Sequence, residues 1–399
     1  MELHKRPLNF VKDIYKLPMS IKLISFIIGV YSVGWGIALP YMAIYFNEML
    51  NSYAATGFIM GITAFLGLIW VLPLGVFIDK VPKKLWITIT LGFYIPLSFI
   101  LLSLSNFSHF IFYRIYHSFI RTSLWDTTDA YLRIHSPKKH TSEAMGLYDT
   151  LHAVGFMVGP LIGAYFIINL GYNIFYGITL FSTIAFLLSF LLPQHNKQRL
   201  KDGLKIFYHK SAFGGHFKSF KNRKIVWLAV TSFFFYFCVW SVVVFLLPLY
   251  FQKLEVGLVM IGVLFALFHF PRLFEIYFSS IADNRGKSLI LTKGLLFGAI
   301  FFLLMFFVTD IIVLYILTVL LSFSFAAIIP ALQGRITDLL PRIHIAKGDA
   351  DIRFFRFIGA GLGPIVAGVL SHYFGLKIIF LLCFIIFAGL ALVIGKRID

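Results

Sequence analysis

Residues 75–84 read GVFIDKVPKK and form a short polar interruption in hydrophobic sequence, and residues 279–288, SSIADNRGKS, repeat their pattern. Asp79 recurs as Asp283, 204 positions later, and the lysine four residues after each aspartate keeps the same offset. A recurrence over half the chain is the first sign of an internal repeat.

A second, apolar motif keeps the same register. Residues 155–160 read GFMVGP, and residues 359–364 read GAGLGP, again 204 positions apart. Two unrelated motifs that share one offset indicate duplication rather than chance similarity. The chain is therefore predicted to consist of two homologous halves.

The composition indicates a membrane protein. Hydrophobic residues make up 59% of the 399 residues, charged residues only 13%, and the mean hydropathy is +0.88. Six apolar stretches of about 20 residues, the length that spans hydrocarbon, precede the polar segment from His195 to Lys224, and six follow it. We predict an all-α integral membrane protein of twelve transmembrane helices in two six-helix bundles. The predicted domains are residues 1–195, a basic cytoplasmic central loop at 196–224, and residues 225–399.

The net charge of +18 carries topological information. Lys and Arg concentrate in the leader, the central loop and alternate short loops, which predicts that both termini are cytoplasmic in the cell membrane. Because these residues are not gathered on one face, nucleic acid is excluded as a partner. The central loop either faces an anionic inner leaflet or is simply solvated. Cys238 and Cys383 lie in apolar stretches, so no redox role is expected.

Twelve spans, the duplication, the basic central loop and the repeated Asp-bearing hairpin together resemble the major facilitator superfamily of secondary transporters. The hairpin is similar to that family's motif after the second helix, with Pro82 in place of a glycine and Ser279 in place of the first glycine of the second copy. The resemblance implies a conformational latch formed by Gly75, Asp79, Lys80, Lys83, Lys84, Asp283, Arg285 and Lys287. By that resemblance Asp79 would hold the second helix against the eleventh. A plain charged turn stays open as the alternative, since Asp349 and Asp351 can cap the eleventh helix themselves.

The fourth helix carries a cationic stripe. Arg114, His117, Arg121 and Trp125 fall on one face of a helical wheel, and Arg114-x-x-His117 resembles a family motif that has Gln in place of His. Charge is costly in lipid, so this stripe should face the protein interior or a wet cavity. The alternative is an ion pair to a neighbouring helix.

The fifth helix contains Gly155-x-x-x-Gly159-Pro160-x-x-Gly163, which looks like the signature associated with antiporters in this family. Glycines at every fourth residue allow close helix approach, and Pro160 permits bending. Close packing without antiport stays open, because the eleventh helix repeats the pattern.

Ionisable residues near the inner ends of several helices predict an ion-pair gate. Asp149 and His152 lie one turn apart, and the offset places Arg353 and Arg356 at the duplicate positions. The family's geometry would let Asp149 or His152 meet Arg272 or Glu275. Proton coupling through a carboxyl group of such a gate, formed by Asp149, His152, Arg272, Glu275 and Arg356, is a hypothesis, with a static salt bridge as its alternative.

Aromatic residues mark the helices that line the cavity in this family. The predicted substrate-cavity residues are Tyr31, Trp35, Arg114, His117, Arg121, Tyr236 and Trp240. The embedded arginines make an organic anion or a polar metabolite a credible solute. No phosphate-binding loop, metal-ligand cluster or nucleophile constellation is found in the sequence, which argues against an enzyme, a cofactor, a metal site or a nucleotide partner.

The sequence therefore predicts a monomeric, proton-coupled secondary transporter that exports a small solute by alternating access, most similar in motifs to drug/proton antiporters. Uptake or exchange of an organic anion or polar metabolite is the alternative direction and substrate. A lipid flippase or a membrane sensor on the same fold is the alternative outside transport.

Overall fold

The computed structural model describes residues 17–137, 141–193, 220, 222–340 and 345–397. The predicted basic leader ahead of residue 17 and nearly all of the predicted central loop lie outside these residues, as does the side chain of Asp349. All regular structure in the described part of the chain is helical.

Twelve helical passages follow one another along the described chain. They are α1 (Met19–Leu50), α2 (Tyr53–Lys80), α3 (Lys83–Leu102), α4 (Phe107–His135), α5 (Thr141–Leu170), α6 (Tyr176–Ser189), α7 (Arg223–Lys253), α8 (Leu258–His269 and Glu275–Arg285), α9 (Lys287–Phe307), α10 (Ile311–Leu339), α11 (Ile345–Phe374) and α12 (Ile378–Arg397). The predicted all-α architecture with twelve helices is confirmed.

Length and hydropathy alone identify eight membrane-crossing stretches among the described residues, or nine if the two parts of α8 form one span. The count is below twelve for three reasons. The stretch Ala144–Ser189 contains both α5 and α6, the apolar part of α12 is short, and α4 carries the charged stripe. The hydropathy test therefore does not select α4, because the charged residues of this helix lower its mean hydropathy.

Local sequence explains where helices begin and break. The side-chain oxygens of Asn106 and Asp310 accept hydrogen bonds from backbone N–H groups in the first turns of α4 and α10, at 3.1 and 2.9 Å. Pro96 interrupts α3, because proline lacks the N–H that the helix requires. Between its two parts α8 bends by 48°, through a 3₁₀ turn at Phe270–Phe274. A π-helical segment, Trp240–Leu246, lies within α7.

By spatial contacts the chain forms two units. Unit 1 comprises Met1–Ala38 and Ile69–Ala212, and unit 2 comprises Leu39–Leu68 and Phe213–Asp399. Unit 2 thus includes the α1–α2 turn and the helix ends beside it. The predicted boundaries near residues 195 and 225 follow the sequence duplication and stay a prediction.

Each unit has its own buried contacts between helices. In unit 1 the indole Nε1 of Trp86 on α3 donates a 2.6 Å hydrogen bond to Ser123 on α4. In unit 2, Phe302 of α9 and Phe387 of α12 meet edge to face at 5.1 Å, and Phe325 of α10 packs beside them. Such tight packing holds helices together where the lipid offers no hydrophobic driving force.

Candidate functional site

The cationic stripe of α4 lies inside unit 1. Arg114 is only 3% exposed, His117 is 6% exposed, and Arg121 is partly buried. The guanidinium carbon of Arg114 lies 5.4 Å from the ring centroid of Tyr113, the preceding residue, in a cation–π contact. The helix therefore presents two cations and an imidazole within two turns.

Aromatic side chains of α1 and α3 surround this stripe. Trp35 stacks on His117 with centroids 4.5 Å apart and planes 20° apart. Tyr31 meets Tyr94 of α3 edge to face at 4.9 Å, and Tyr94 also contacts the indole of Trp35 at 6.2 Å.

Tyr94 and Tyr113 complete this cluster, and sequence reasoning did not identify them. Tyr94 lies just before Pro96, where α3 breaks, and this helix break is the sequence signal that could have pointed to it. We name the set the α4 cluster, and its members are Tyr31, Trp35, Tyr94, Tyr113, Arg114, His117 and Arg121.

Among the buried polar atoms of the α4 cluster, two on stacked rings have no hydrogen-bond partner among the residues that the structure describes. These are Nε1 of Trp35, a donor, and Nδ1 of His117. Trp35 is 7% exposed. Buried polar atoms are nearly always hydrogen-bonded, so these two neighbouring atoms are candidates for contact with a polar group of a ligand.

The predicted gate residues of α5 adjoin the same helix face. His152 packs between Trp125 of α4 and Phe156, with centroid distances of 4.8 Å to both rings. Asp149, one turn earlier, is exposed. The hypothesised pairing of Asp149 or His152 with Arg272 or Glu275 joins the two units and stays a prediction.

In unit 2, Arg272 and Glu275 of the predicted gate lie at the break in α8, together with His269. Nε of Arg272 donates to Glu275 Oε1 at 2.9 Å, and the two side chains are 31% and 21% exposed. His269 is buried, and its Nδ1 hydrogen-bonds to the carbonyl oxygen of Phe265 at 2.8 Å. The break therefore brings a carboxylate, a guanidinium and an imidazole to one segment of a membrane helix.

The other predicted cavity residues of unit 2 are on α7. The guanidinium carbon of Arg356 on α11 lies 5.7 Å from the ring centroid of Tyr236. Trp240 begins the π-helical segment, a feature found frequently at functional sites. An arginine thus lies over a tyrosine ring in unit 2, as Arg114 lies over Tyr113 in unit 1.

The first copy of the hairpin caps helix ends in unit 1. Nζ of Lys83 donates to the carbonyl oxygens of Asp79 and Val81 at 3.0 and 3.1 Å, at the end of α2. Lys84 donates to the carbonyl oxygen of Phe190, just after α6, at 2.8 Å. Asp79 and Lys80 are exposed. In the described part of the chain nothing lies within 4 Å of a Cβ built on Gly75, so no close helix contact there requires a glycine.

The second copy of the hairpin forms an ion-pair network instead. Lys287 lies 2.9 Å from Asp338 of α10 and 3.4 Å from Asp283. Together with Arg285 these residues line a surface cleft of about 680 Å³. The proposed contact of Asp79 with α11 joins the two units and stays a prediction.

The antiporter-like motif lies at a helix crossing inside unit 1. Gly155 and Gly159 face the backbone of α1, and the ring of Pro160 lies beside Gly36. Gly163 is buried. No group of three or more His, Cys, Asp or Glu residues suited to a metal ion occurs among the described residues.

Solved structures share this fold at low sequence identity. The nucleoside transporter NupG matches 96% of this chain and all of its own, with a TM-score of 0.77 and 14% identity. A bacterial homologue of the human lysosomal transporter Spinster gives a TM-score of 0.74 over 94% of this chain and 95% of its own, at 14% identity. The human organic anion transporter MFSD10 gives 0.68 over 94% of this chain and all of its own, at 15% identity.

One curated relative matches part of the sequence. An uncharacterised MFS-type transporter of Methanocaldococcus jannaschii is 28% identical over 131 residues, which are 33% of this chain and 34% of that relative. The family model described as Major Facilitator Superfamily matches residues 24–274 and 270–397, nearly the whole chain. The chain therefore belongs to the major facilitator superfamily, a family of membrane transporters rather than enzymes.

Proposed function

We propose that this chain is a proton-coupled secondary transporter that exports a small solute by alternating access. Membership of the family carries the general transport function. The observation that supports proton coupling is the Arg272–Glu275 pair at the break in α8. We further propose that the chain works as a monomer in the cell membrane with both termini in the cytoplasm.

The proposed coupling step uses the partial exposure of Glu275. A carboxylate paired with a guanidinium inside a membrane helix is stable only while the pair is intact, because either charge alone is expensive to leave in the membrane. When a change in the bend of α8 separates Arg272 from Glu275, protonation removes the uncompensated negative charge. Proton uptake is thereby linked to the conformational change.

Export is proposed from the resemblance of the α5 motif to that of antiporters. In this chain Gly155 and Gly159 form the crossing of α5 with α1, so the motif supplies a packing surface in unit 1. Uptake or exchange in the opposite direction uses the same elements and is the second candidate, favoured by the buried arginines of α4 if the solute is an anion.

The test is a proton-flux assay with purified protein in liposomes that contain a pH-sensitive dye. Because structural neighbours include an organic anion transporter and a nucleoside transporter, the probe solutes are benzoate, uridine and the cationic dye ethidium. We expect at least one probe to drive a proton flux that Glu275→Gln abolishes. Glu255→Gln is the matched control, since Glu255 is an exposed loop residue.

Other outcomes discriminate between the alternatives. Solute movement that is independent of the pH gradient would overturn proton coupling. Binding of a probe without any flux would favour a sensor, and movement of a labelled lipid between leaflets would favour a flippase. In whole cells, protonophore-sensitive ethidium efflux that Asp149→Asn abolishes while Glu275→Gln does not would transfer the coupling role to Asp149.

A further inference from the structure

We propose that the α4 cluster binds an organic anion with a planar aromatic body and a second polar group, of the hydroxybenzoate class. This inference rests on the proposed function in that it names the substrate of that transporter. It is carried by the charge, the unsatisfied polar atoms and the aromatic surface of one buried part of unit 1.

Charge is the first step. Arg114 and Arg121 place two guanidinium groups inside unit 1, Arg114 almost fully buried. The sequence contains no Asp or Glu in α1 up to Ala38, in α3, or in α4 before Asp126. These three helix segments therefore carry a net positive charge, to which an anion is complementary and from which a cation is repelled. The planar guanidinium fork also matches the geometry of a carboxylate.

The spacing of the cations indicates how a ligand is oriented. Arg114 and Arg121 are seven residues apart, which is about 10 Å along a helix. His117 lies between them on the same face and stacks on Trp35 at 4.5 Å. Because His117 is four residues from Arg121, a carboxylate held by Arg121 leaves the other end of the ligand near His117.

The second step concerns buried polar atoms that lack a hydrogen-bond partner. Nε1 of Trp35 and Nδ1 of His117 have no hydrogen-bond partner within the described parts of the chain, and both side chains are more than nine-tenths buried. Leaving such atoms unpaired costs free energy that a ligand hydroxyl, which both donates and accepts, removes. An anion with a hydroxyl opposite its acid group is therefore favoured over one without it.

The surface around these groups sets the third requirement. Four aromatic side chains, those of Tyr31, Trp35, Tyr94 and Tyr113, are buried around the arginines. Rings of this kind pack well against a flat apolar body and provide a rigid lining. Small inorganic anions would leave this surface unused, so inorganic phosphate serves as the probe for simple charge binding.

The alternative is that Arg114 and Arg121 only hold helices together. Equilibrium binding to the purified, full-length protein in detergent separates the two cases, because it requires no transport. Isothermal titration calorimetry would use 4-hydroxybenzoate, benzoate, the neutral 4-hydroxybenzyl alcohol, the cation tyramine and inorganic phosphate. Trp35→Phe keeps the ring but removes the N–H group, and Arg133→Gln is the control, since Arg133 is an exposed arginine of the same helix.

We expect 4-hydroxybenzoate to bind most tightly and tyramine not to bind. Arg121→Gln should raise its Kd at least about tenfold, as for loss of a hydrogen bond to a charged group. Trp35→Phe should raise the Kd of 4-hydroxybenzoate more than that of benzoate, an effect that a purely structural role does not produce. Arg133→Gln should leave both Kd values unchanged.

Three results would overturn the proposal: binding of neither carboxylate to folded wild-type protein, equal binding of the neutral alcohol or of phosphate, or an unchanged Kd in Arg121→Gln. Should Arg121→Gln fail to fold, the comparison of the two carboxylates in Trp35→Phe decides alone. A protein that binds 4-hydroxybenzoate but moves no solute would refute the proposed function and keep this inference. Proton-coupled transport of ethidium or uridine without carboxylate binding would do the reverse.

Discussion

The backbone carbonyl oxygen of Gly29 on α1 lies so close to Gly155 on α5 that a Cβ built on Gly155 would be 2.5 Å from it. The same relationship recurs 204 positions later, where a Cβ on Gly359 of α11 would lie 2.1 Å from the carbonyl oxygen of Phe233 on α7. The two halves of the sequence therefore repeat a helix crossing residue by residue, each within its own unit. The duplication predicted from short motifs is thus present in the packing.

Adding a methyl group at these crossings should destabilise the protein. Gly155→Ala and Gly359→Ala each force apart two backbones, which costs about 1–3 kcal/mol for overpacking. Thermal unfolding in detergent should show a lowered midpoint for both variants. Gly389→Ala on α12 is the control, because no described atom lies within 4 Å of its Cβ position. That variant should unfold no earlier than wild type, since alanine favours helices, and an equal loss in all three would contradict the argument.

A third glycine contact lies inside unit 2, between α2 and α11. A Cβ on Gly57 would be 2.2 Å from the carbonyl oxygen of Pro364 and 2.8 Å from the α-carbon of Gly368. If alternating access requires this contact to open, Gly57→Leu should favour the open state. A clash of about 1–3 kcal/mol corresponds to a population shift of about 5- to 150-fold.

Thiol labelling would measure that shift. Ile365 faces the same crossing, because its Cγ1 lies 2.8 Å from a Cβ on Gly61. The two native cysteines, Cys238 and Cys383, are buried and should not react. A cysteine introduced by Ile365→Cys should therefore be labelled faster in the Gly57→Leu background than alone. Equal labelling rates in a folded double variant would show that this contact does not open.

Much of the architecture was predictable, because bilayer thickness and backbone satisfaction restrict the possible folds. Runs of about 20 apolar residues can only be helices in lipid, and the offset from Asp79 to Asp283 required two similar halves. The prediction that one face of α4 points into the protein depends only on helix geometry. Arg114 and His117 on that face are buried, as predicted.

Contacts between helices were not predictable from spacing. Tyr94 was missed because a tyrosine in an aromatic-rich chain carries no signal of its partner, and its meeting with Tyr31 depends on how α3 packs on α1. The latch role that the resemblance implies for Lys83 stays a prediction, and what spacing does not give is that its Nζ caps the end of α2. A sequence motif identifies which residues are special, while the carbonyl groups exposed at helix ends determine what they contact.

The break in α8 leaves a backbone carbonyl that needs a partner. Ser322 of α10 donates its hydroxyl to the carbonyl oxygen of Phe268, just before the 3₁₀ turn. Ser322→Ala should destabilise the protein by about 1 kcal/mol, the usual worth of one hydrogen bond. Ser324→Ala is the control, since Ser324 bonds only weakly to its own helix at 3.4 Å. Equal unfolding midpoints of the two variants would show that Ser322 does not support the break.

Lys287 provides a test of the latch against a plain ion pair. Its Nζ lies 2.9 Å from Asp338 and 3.4 Å from Asp283, and both carboxylates are about half exposed. Such a pair contributes about 0.2–1 kcal/mol to stability. A double-mutant cycle of Lys287→Met with Asp338→Asn should give a coupling energy in that range, and it should shrink in high salt.

The two roles of Lys287 differ in what else changes. If the network only joins α9 to α10, Lys287→Met lowers stability slightly while the turnover of whichever solute is transported stays at the wild-type value. A latch instead stabilises one conformational state, so its loss changes turnover and the labelling rate at Ile365→Cys even where stability is preserved. Asp338→Asn removes the closer pairing of Lys287 but leaves Asp283 beside it, so it should lower stability by no more than Lys287→Met does. If the hairpin is a latch, Asp338→Asn should also change turnover less than Lys287→Met does. Identical turnover in wild type, Lys287→Met and Asp338→Asn would assign the second hairpin a purely structural role.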